Sequence, residues 1–114
     1  MQIKLIVIRT NEPEKLANFY SLLGLVFEYH QHGNSPFHYS AIIGETVLEI
    51  YPLAKNQTEP DKHLRLGFAV DNFEQILEKL RQNEVIFSAP TNTAFGFLTI
   101  VSDPEGRQIE IYKQ

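Results

Sequence analysis

The chain of 114 residues contains no cysteine. Disulfides, thiolate metal sites and a cysteine nucleophile are therefore excluded. Basic runs are missing too. The formal net charge is -4 at pH 7, and contact with a phosphate backbone depends on clustered Lys and Arg, so no nucleic-acid partner is expected. Apolar runs are short. The opening run ends at Arg9, too early for a secretory leader or a membrane span, so a cytoplasmic protein without a membrane partner is expected. There is no glycine-rich phosphate loop and no serine-centred nucleophile elbow. What is present is enough apolar material for a core, with 43% hydrophobic and 21% charged residues, the balance of one globular domain.

The pattern along the chain is strand, helix, three strands, then the same again. Ile3 to Ile8 is a β-branched apolar run and reads as a buried strand. Asn11 is placed to cap a helix, with Pro13 in the first turn and Glu14 at capping-box spacing. Leu16, Ala17, Tyr20 and Leu23 share one helical face, and Gly24 stands where helices end in a left-handed residue. Strands are then predicted at Leu25 to His32, Phe37 to Ile43 and Thr46 to Tyr51. A polar linker follows, over residues 53–62. The second copy starts with a strand at Leu64 to Val70. Asp71 is the predicted cap of a second helix with Glu74 at the box position, and Phe73, Ile76, Leu77 and Leu80 form its apolar face. Further strands are expected near Val85 to Ser88, at Phe95 to Ser102 and at Arg107 to Tyr112.

Leu48-Glu49-Ile50-Tyr51 closes the first copy and Ile109-Glu110-Ile111-Tyr112 closes the second. A matching tetrapeptide at the same place in the same order of elements marks an internal duplication. Three stretches carry a resemblance to a known family: Phe19-Tyr20 with Leu22-Leu23-Gly24-Leu25, Ala69-Val70-Asp71-Asn72, and Ser102-Asp103-Pro104-Glu105-Gly106 leading into Ile109-Glu110-Ile111. On them the chain resembles the vicinal oxygen chelate superfamily, which includes glyoxalase I, bleomycin-resistance proteins and extradiol dioxygenases. The resemblance implies an α+β fold of two tandem βαβββ units, residues 1–52 and 63–114, whose curved mixed sheets form a cleft with the helices outside. It also implies a homodimer, a small-molecule ligand and usually a divalent metal such as Zn, Ni, Mn or Mg. One metal ligand would come from the first and one from the last strand of each unit.

The last strands fit that scheme. Period-2 alternation sends Leu48, Ile50, Ile109 and Ile111 to the helices, and Glu49 and Glu110 to the opposite face. The first-strand positions fall on Leu5 and Arg65. Leucine has no donor atom and arginine no free lone pair. A unit charge ~4 Å from another at an effective dielectric of ~20 interacts with it by roughly 4 kcal/mol, so Arg65 would also repel a cation. The expectation is that no metal is bound and that Arg65 neutralises Glu49 and Glu110 through bidentate hydrogen bonds. A shift of two residues would instead bring His63 to Glu49 and Glu110 as a three-ligand metal site.

Around these carboxylates, Arg65 and Arg9 are candidate anchors for an acidic ligand group, and Tyr51, Tyr112, Phe37 and Tyr39 candidate pocket walls. His30, His32 and His38 flank the turn at Gly33-Asn34-Ser35-Pro36. Imidazole is a common ligand, so they suggest a metal cluster, but they read first as polar strand-end residues, with His38 available as a general base. The resulting expectation is a small-molecule-binding protein of the bleomycin-resistance type. The alternatives are a metal-dependent lyase, isomerase or dioxygenase of glyoxalase type, in which Glu49 and Glu110 act catalytically, and an interaction module that kept only the scaffold.

Overall fold

In the computed structural model, which describes residues 1–114, the element order is the predicted duplication. The first copy comprises β1 (Leu5–Thr10), α1 (Pro13–Ser21), β2 (Phe27–His30), β3 (His38–Ile43) and β4 (Thr46–Pro52). The second comprises β5 (Leu66–Val70), α2 (Phe73–Gln82), β6 (Thr91–Thr93), β7 (Gly96–Ser102) and β8 (Gln108–Lys113). The chain divides into two units, Met1–Asp61 and Lys62–Gln114. Each is an α+β layer of one four-stranded mixed sheet and one helix, with sheet orders β1-β4-β3-β2 and β5-β8-β7-β6.

The parallel pairs β1–β4 and β5–β8 enclose the crossover helix, and antiparallel hairpins complete each sheet. In the first unit, α1 packs on β4, β3 and β1. Leu16 and Tyr20 of the helix and Leu48 and Ile50 of β4 are all essentially inaccessible. In the second unit, Ile76 and Leu80 of α2 play the same part against Ile109 and Ile111 of β8. Each such side chain contributes about 1.5–3 kcal/mol by leaving water. This burial fixes the register: a slip by one residue would turn Glu49 or Glu110 into the core.

The helix starts differ from expectation. The N-caps are Glu12 and Asn72, and neither makes a side-chain cap bond. The Thr10 hydroxyl accepts from the Glu12 amide instead, at 3.0 Å, and Glu74 extends to Lys113 at 2.7 Å. Helix ends follow the rules more closely. Gly24 is left-handed (φ +104°). After α2 the amide of Val85 bonds Leu80 O and that of Glu84 bonds Arg81 O. That is a Schellman closure, with the non-glycine residue Glu84 held at φ 59°.

The strand expected at Val85 to Ser88 does not form. Only Phe87 bridges to Val101, and the edge strand is the polar Thr91–Thr93 pairing with β7. The apolar content of Val85, Ile86 and Phe87 was misleading, because edge strands are often short and polar.

At the β7–β8 turn, Arg107 is 1% exposed and bonds Asp103 Oδ2 at 3.1 Å and Glu105 Oε1 at 2.7 Å. Burial alone would lower the guanidinium's pKa. The bonds to Glu105 and Asp103 outweigh it and hold the pKa above the ordinary value. No helix is long and apolar enough to cross a membrane.

Candidate functional site

The β1–β4 register places Val7 beside Glu49 and Arg9 beside Tyr51, and the β3–β4 register places Ser40 across from Glu49. By alternation these residues share the sheet face away from α1. His38 joins them as the cross-strand partner of His30. Glu49 is only 8% exposed although it stands on this open face. Histidines cover it: Glu49 Oε2 lies 3.3 Å from His38 Nε2 and 3.5 Å from His32 Nε2.

The three imidazoles lie against one another, with ring centroids 4.5, 4.8 and 4.9 Å apart. His38 is wholly inaccessible. Its ring stacks on Tyr51 at 4.1 Å with an interplanar angle of 10°, and its Nδ1 lies 3.0 Å from the carbonyl of Pro36. Arg9 also lies over the Tyr51 ring, its guanidinium 4.9 Å from the ring centre and its Nη1 donating to Pro52 O at 3.1 Å.

A pocket of about 490 Å³ opens on this face. Val26, Ile42 and Val47 line one side, and His30, His32 and Glu49 line the other. None of Phe37, Tyr39, Tyr51 and Tyr112, the candidate walls, is among the residues that line it. Tyr39 alternates with Ser40 and so points to the helix face, where its ring lies 4.6 Å from Tyr29; Phe37 stacks on Tyr29 at 5.3 Å. Burial, then the charge of Glu14 and the neighbouring Tyr29, raise the Tyr39 phenol above its ordinary pKa.

In the second unit the matching carboxylate has other company. Glu110 Oε2 accepts from Arg65 Nη2 at 3.0 Å, and Glu110 Oε1 accepts from the Tyr112 hydroxyl at 2.8 Å. The bond to Glu110, with desolvation behind it, raises the Tyr112 phenol above its ordinary pKa. The ring of Tyr112 has room because two glycines flank it. A Cβ on Gly67 or on Gly96 would come within 3.2 Å of it. Arg65 and His63 both precede β5 and are exposed.

The family's metal positions therefore carry a poor donor set. Leu5 on β1 offers nothing, nor does Val7, which pairs directly with Glu49. Arg65 brings a positive charge to Glu110. Donors do gather elsewhere: one ligand atom from each of His30, His32, His38 and Glu49 lies within 4.8 Å of the others. Alternation alone puts His30 and His32 on one face and leaves His38 unplaced, which favours strand-end residues over a metal cluster. The signal it missed was the hairpin, since a turn between β2 and β3 that sets His30 opposite His38 brings both to the face of Glu49.

The chain belongs to the Glyoxalase/Bleomycin resistance protein/Dioxygenase superfamily, whose model matches residues 2–111. Among solved structures it is similar to TnmS3, an antibiotic binding protein from Streptomyces sp. CB03234, with 22% identity over 99% of this chain and 95% of that one and a TM-score of 0.77. It is also similar to a glyoxalase/bleomycin resistance protein from the same organism, with 22% identity over 98% and 100% of the two chains and a TM-score of 0.73. A third similar structure, the oxidase ChaP-H2, has 18% identity over 100% and 94% of the chains and a TM-score of 0.78. At these identities the likeness is one of fold, which hosts several chemistries. A sequence search of curated proteins finds no match.

Proposed function

We propose that this chain is a small-molecule-binding member of its superfamily, taking an organic ligand on the open face of the first sheet. The observation that carries this reading is the pocket of about 490 Å³ with an apolar side at Val26, Ile42 and Val47 and a polar side at Glu49 and its histidines. Ligand sites have this size and this mixture of apolar wall with a few placed polar groups. A planar or aliphatic body against the valines, with an amine or phenol donor toward Glu49, matches both sides. The antibiotic-binding neighbour of similar fold supports the same class of ligand. An open pocket also weighs against a scaffold kept only for protein contacts.

Arg65 takes a reduced part in this proposal. An acidic ligand group would have to displace Glu110 from it, so a ligand with a donor at the first unit is favoured. Pairing of two chains, which the family resemblance implies, belongs to the same proposal and is read by sedimentation with and without ligand.

The test is a thermal-shift screen of bleomycin and a panel of planar aromatic amines and phenols. A ligand at a hundred times its Kd stabilises by about 2.7 kcal/mol. Ile42 is exposed, so Ile42→Glu should change stability by no more than about 0.5 kcal/mol while placing a charge in the apolar wall. The expected result is a ligand-induced rise in Tm that Ile42→Glu removes. A panel without effect, or a shift that survives the substitution, contradicts the reading.

A further inference from the structure

We propose that His30, His32, His38 and Glu49 form a binding site for one divalent transition-metal ion, contained within the first unit and sharing only Glu49 with the four positions the superfamily pattern assigns. The fully buried ring of His38 carries the argument. A neutral imidazole has one N–H and one lone pair, and the partner of one nitrogen decides the role of the other. The carbonyl of Pro36 can only accept, so Nδ1 at 3.0 Å from it carries the proton. Nε2 is then the lone-pair nitrogen. It is buried and has no hydrogen-bond partner, yet it faces a carboxylate oxygen at 3.3 Å. A lone pair against a carboxylate is repulsive unless a positive charge lies between them.

Two cations satisfy that requirement, a proton on Nε2 or a metal ion, and the distances favour the metal. A charge-assisted N–H···O bond closes to about 2.7–2.9 Å. Four ligands held at about 2.0–2.1 Å around a tetrahedral zinc ion stand roughly 3.4 Å from one another. The Glu49 oxygen lies 3.3 and 3.5 Å from the two Nε2 atoms of His38 and His32, at ligand spacing rather than hydrogen-bond spacing. His30 Nε2 is a second buried nitrogen without a partner, and its ring centroid is 4.8 Å from that of His38.

The surroundings are those of a ligand set. A metal-bound histidine commonly donates its other N–H to a backbone carbonyl, as His38 does to Pro36. Tyr51 fixes the plane of the same ring by stacking. Three imidazoles and one carboxylate select zinc, nickel, cobalt or copper over magnesium and calcium, which prefer all-oxygen sites. The site needs no organic ligand, so a failed ligand screen leaves it standing.

The experiment is a calorimetric titration of chelator-treated full-length protein with Zn²⁺, repeated with Co²⁺ and read by visible absorption. Wild type should take up one ion per chain and give the ligand-field bands of a nitrogen-rich cobalt site. His38→Ala risks unfolding, because it empties a buried position. His32 is mostly exposed, so His32→Ala keeps the fold, and Glu49→Gln keeps the shape. Each should weaken Zn²⁺ by more than the ~10–100-fold that losing a mere supporting residue costs. Glu110→Gln and His63→Ala separate this site from the superfamily pattern and should leave the affinity unchanged. Absence of saturable Zn²⁺ binding overturns the proposal. So does binding that survives His32→Ala and Glu49→Gln but falls with His63→Ala or Glu110→Gln.

Discussion

Glu49 and Glu110 occupy the same place in two copies of one unit, and their neighbours have diverged. Around Glu110 the second unit supplies a permanent cation and a phenol, Arg65 and Tyr112. Around Glu49 the first unit supplies imidazoles, whose ring nitrogens can donate a lone pair to a metal. The first arrangement saturates a carboxylate. The second leaves it beside groups that can share a cation. The difference begins on the neighbouring strand, where Val7 pairs with Glu49 and Gly67 pairs with Glu110. Glycine at 67 admits the ring of Tyr112, which then reaches back to Glu110. In the first unit Tyr51 turns to His38 and Arg9 instead. Duplication has thus kept the backbone position of a carboxylate while its partners set its chemistry.

The turns before β4 and β8 differ as well, and here the largest effect is expected. The first unit turns tightly at Gly44, with φ +59°. The second spends a buried ion-pair network on the same connection. Arg107→Ala leaves Asp103 buried without its cation, and breaking a buried pair from one side costs about 3–5 kcal/mol. Urea denaturation should show that loss. A loss below about 1 kcal/mol would mean the turn holds without the pair.

A smaller effect is expected from giving the second unit the residue of the first. Gly67→Val brings a side chain against Tyr112, and overpacking of this kind costs about 1–3 kcal/mol. It should also part Tyr112 from Glu110, visible as a return of the tyrosine titration toward its ordinary value. A variant of unchanged stability and titration would show that Gly67 is not what separates the two carboxylate sites.

The smallest effect concerns alkaline pH. The Tyr112 phenol has its pKa raised first by the bond to Glu110, then by desolvation. A raised folded-state value means that the stabilisation is complete below the ordinary tyrosine pKa of about 10 and is lost as pH climbs through the folded value. Tyr112→Phe should remove that part of the alkaline decline in Tm. Tyr39, raised mainly by burial, remains in both proteins, so the difference isolates Tyr112. An identical decline in the two would place the coupling elsewhere.

Much of the fold was legible from burial pattern alone. Leu48 and Ile50, like Ile109 and Ile111, alternate with glutamates and are all inaccessible, so period 2 fixed which way Glu49 and Glu110 point. The pairing of Arg65 with Glu110 joins two opposite charges, one just before β5 and one on β8, the strand paired with β5. Asn11 and Asp71 fit the capping-box spacing, but that rule carries no backbone angles, and the chain enters each helix one residue later, at Glu12 and Asn72. The histidines were harder. Their proximity depends on the length and curl of one hairpin, in which His32 is drawn back by the bond from its amide to Ser35 Oγ at 3.0 Å. Residue type and alternation do not record that curl.

The contrast between the two carboxylates is tested most directly by anomalous scattering at the zinc edge from crystals of zinc-loaded protein. The expected result is one strong peak within bonding distance of Glu49 and the Nε2 atoms of His38 and His32, with Arg65 still on Glu110. A peak at Glu110, or none with His38 Nε2 closed directly onto Glu49, would contradict it.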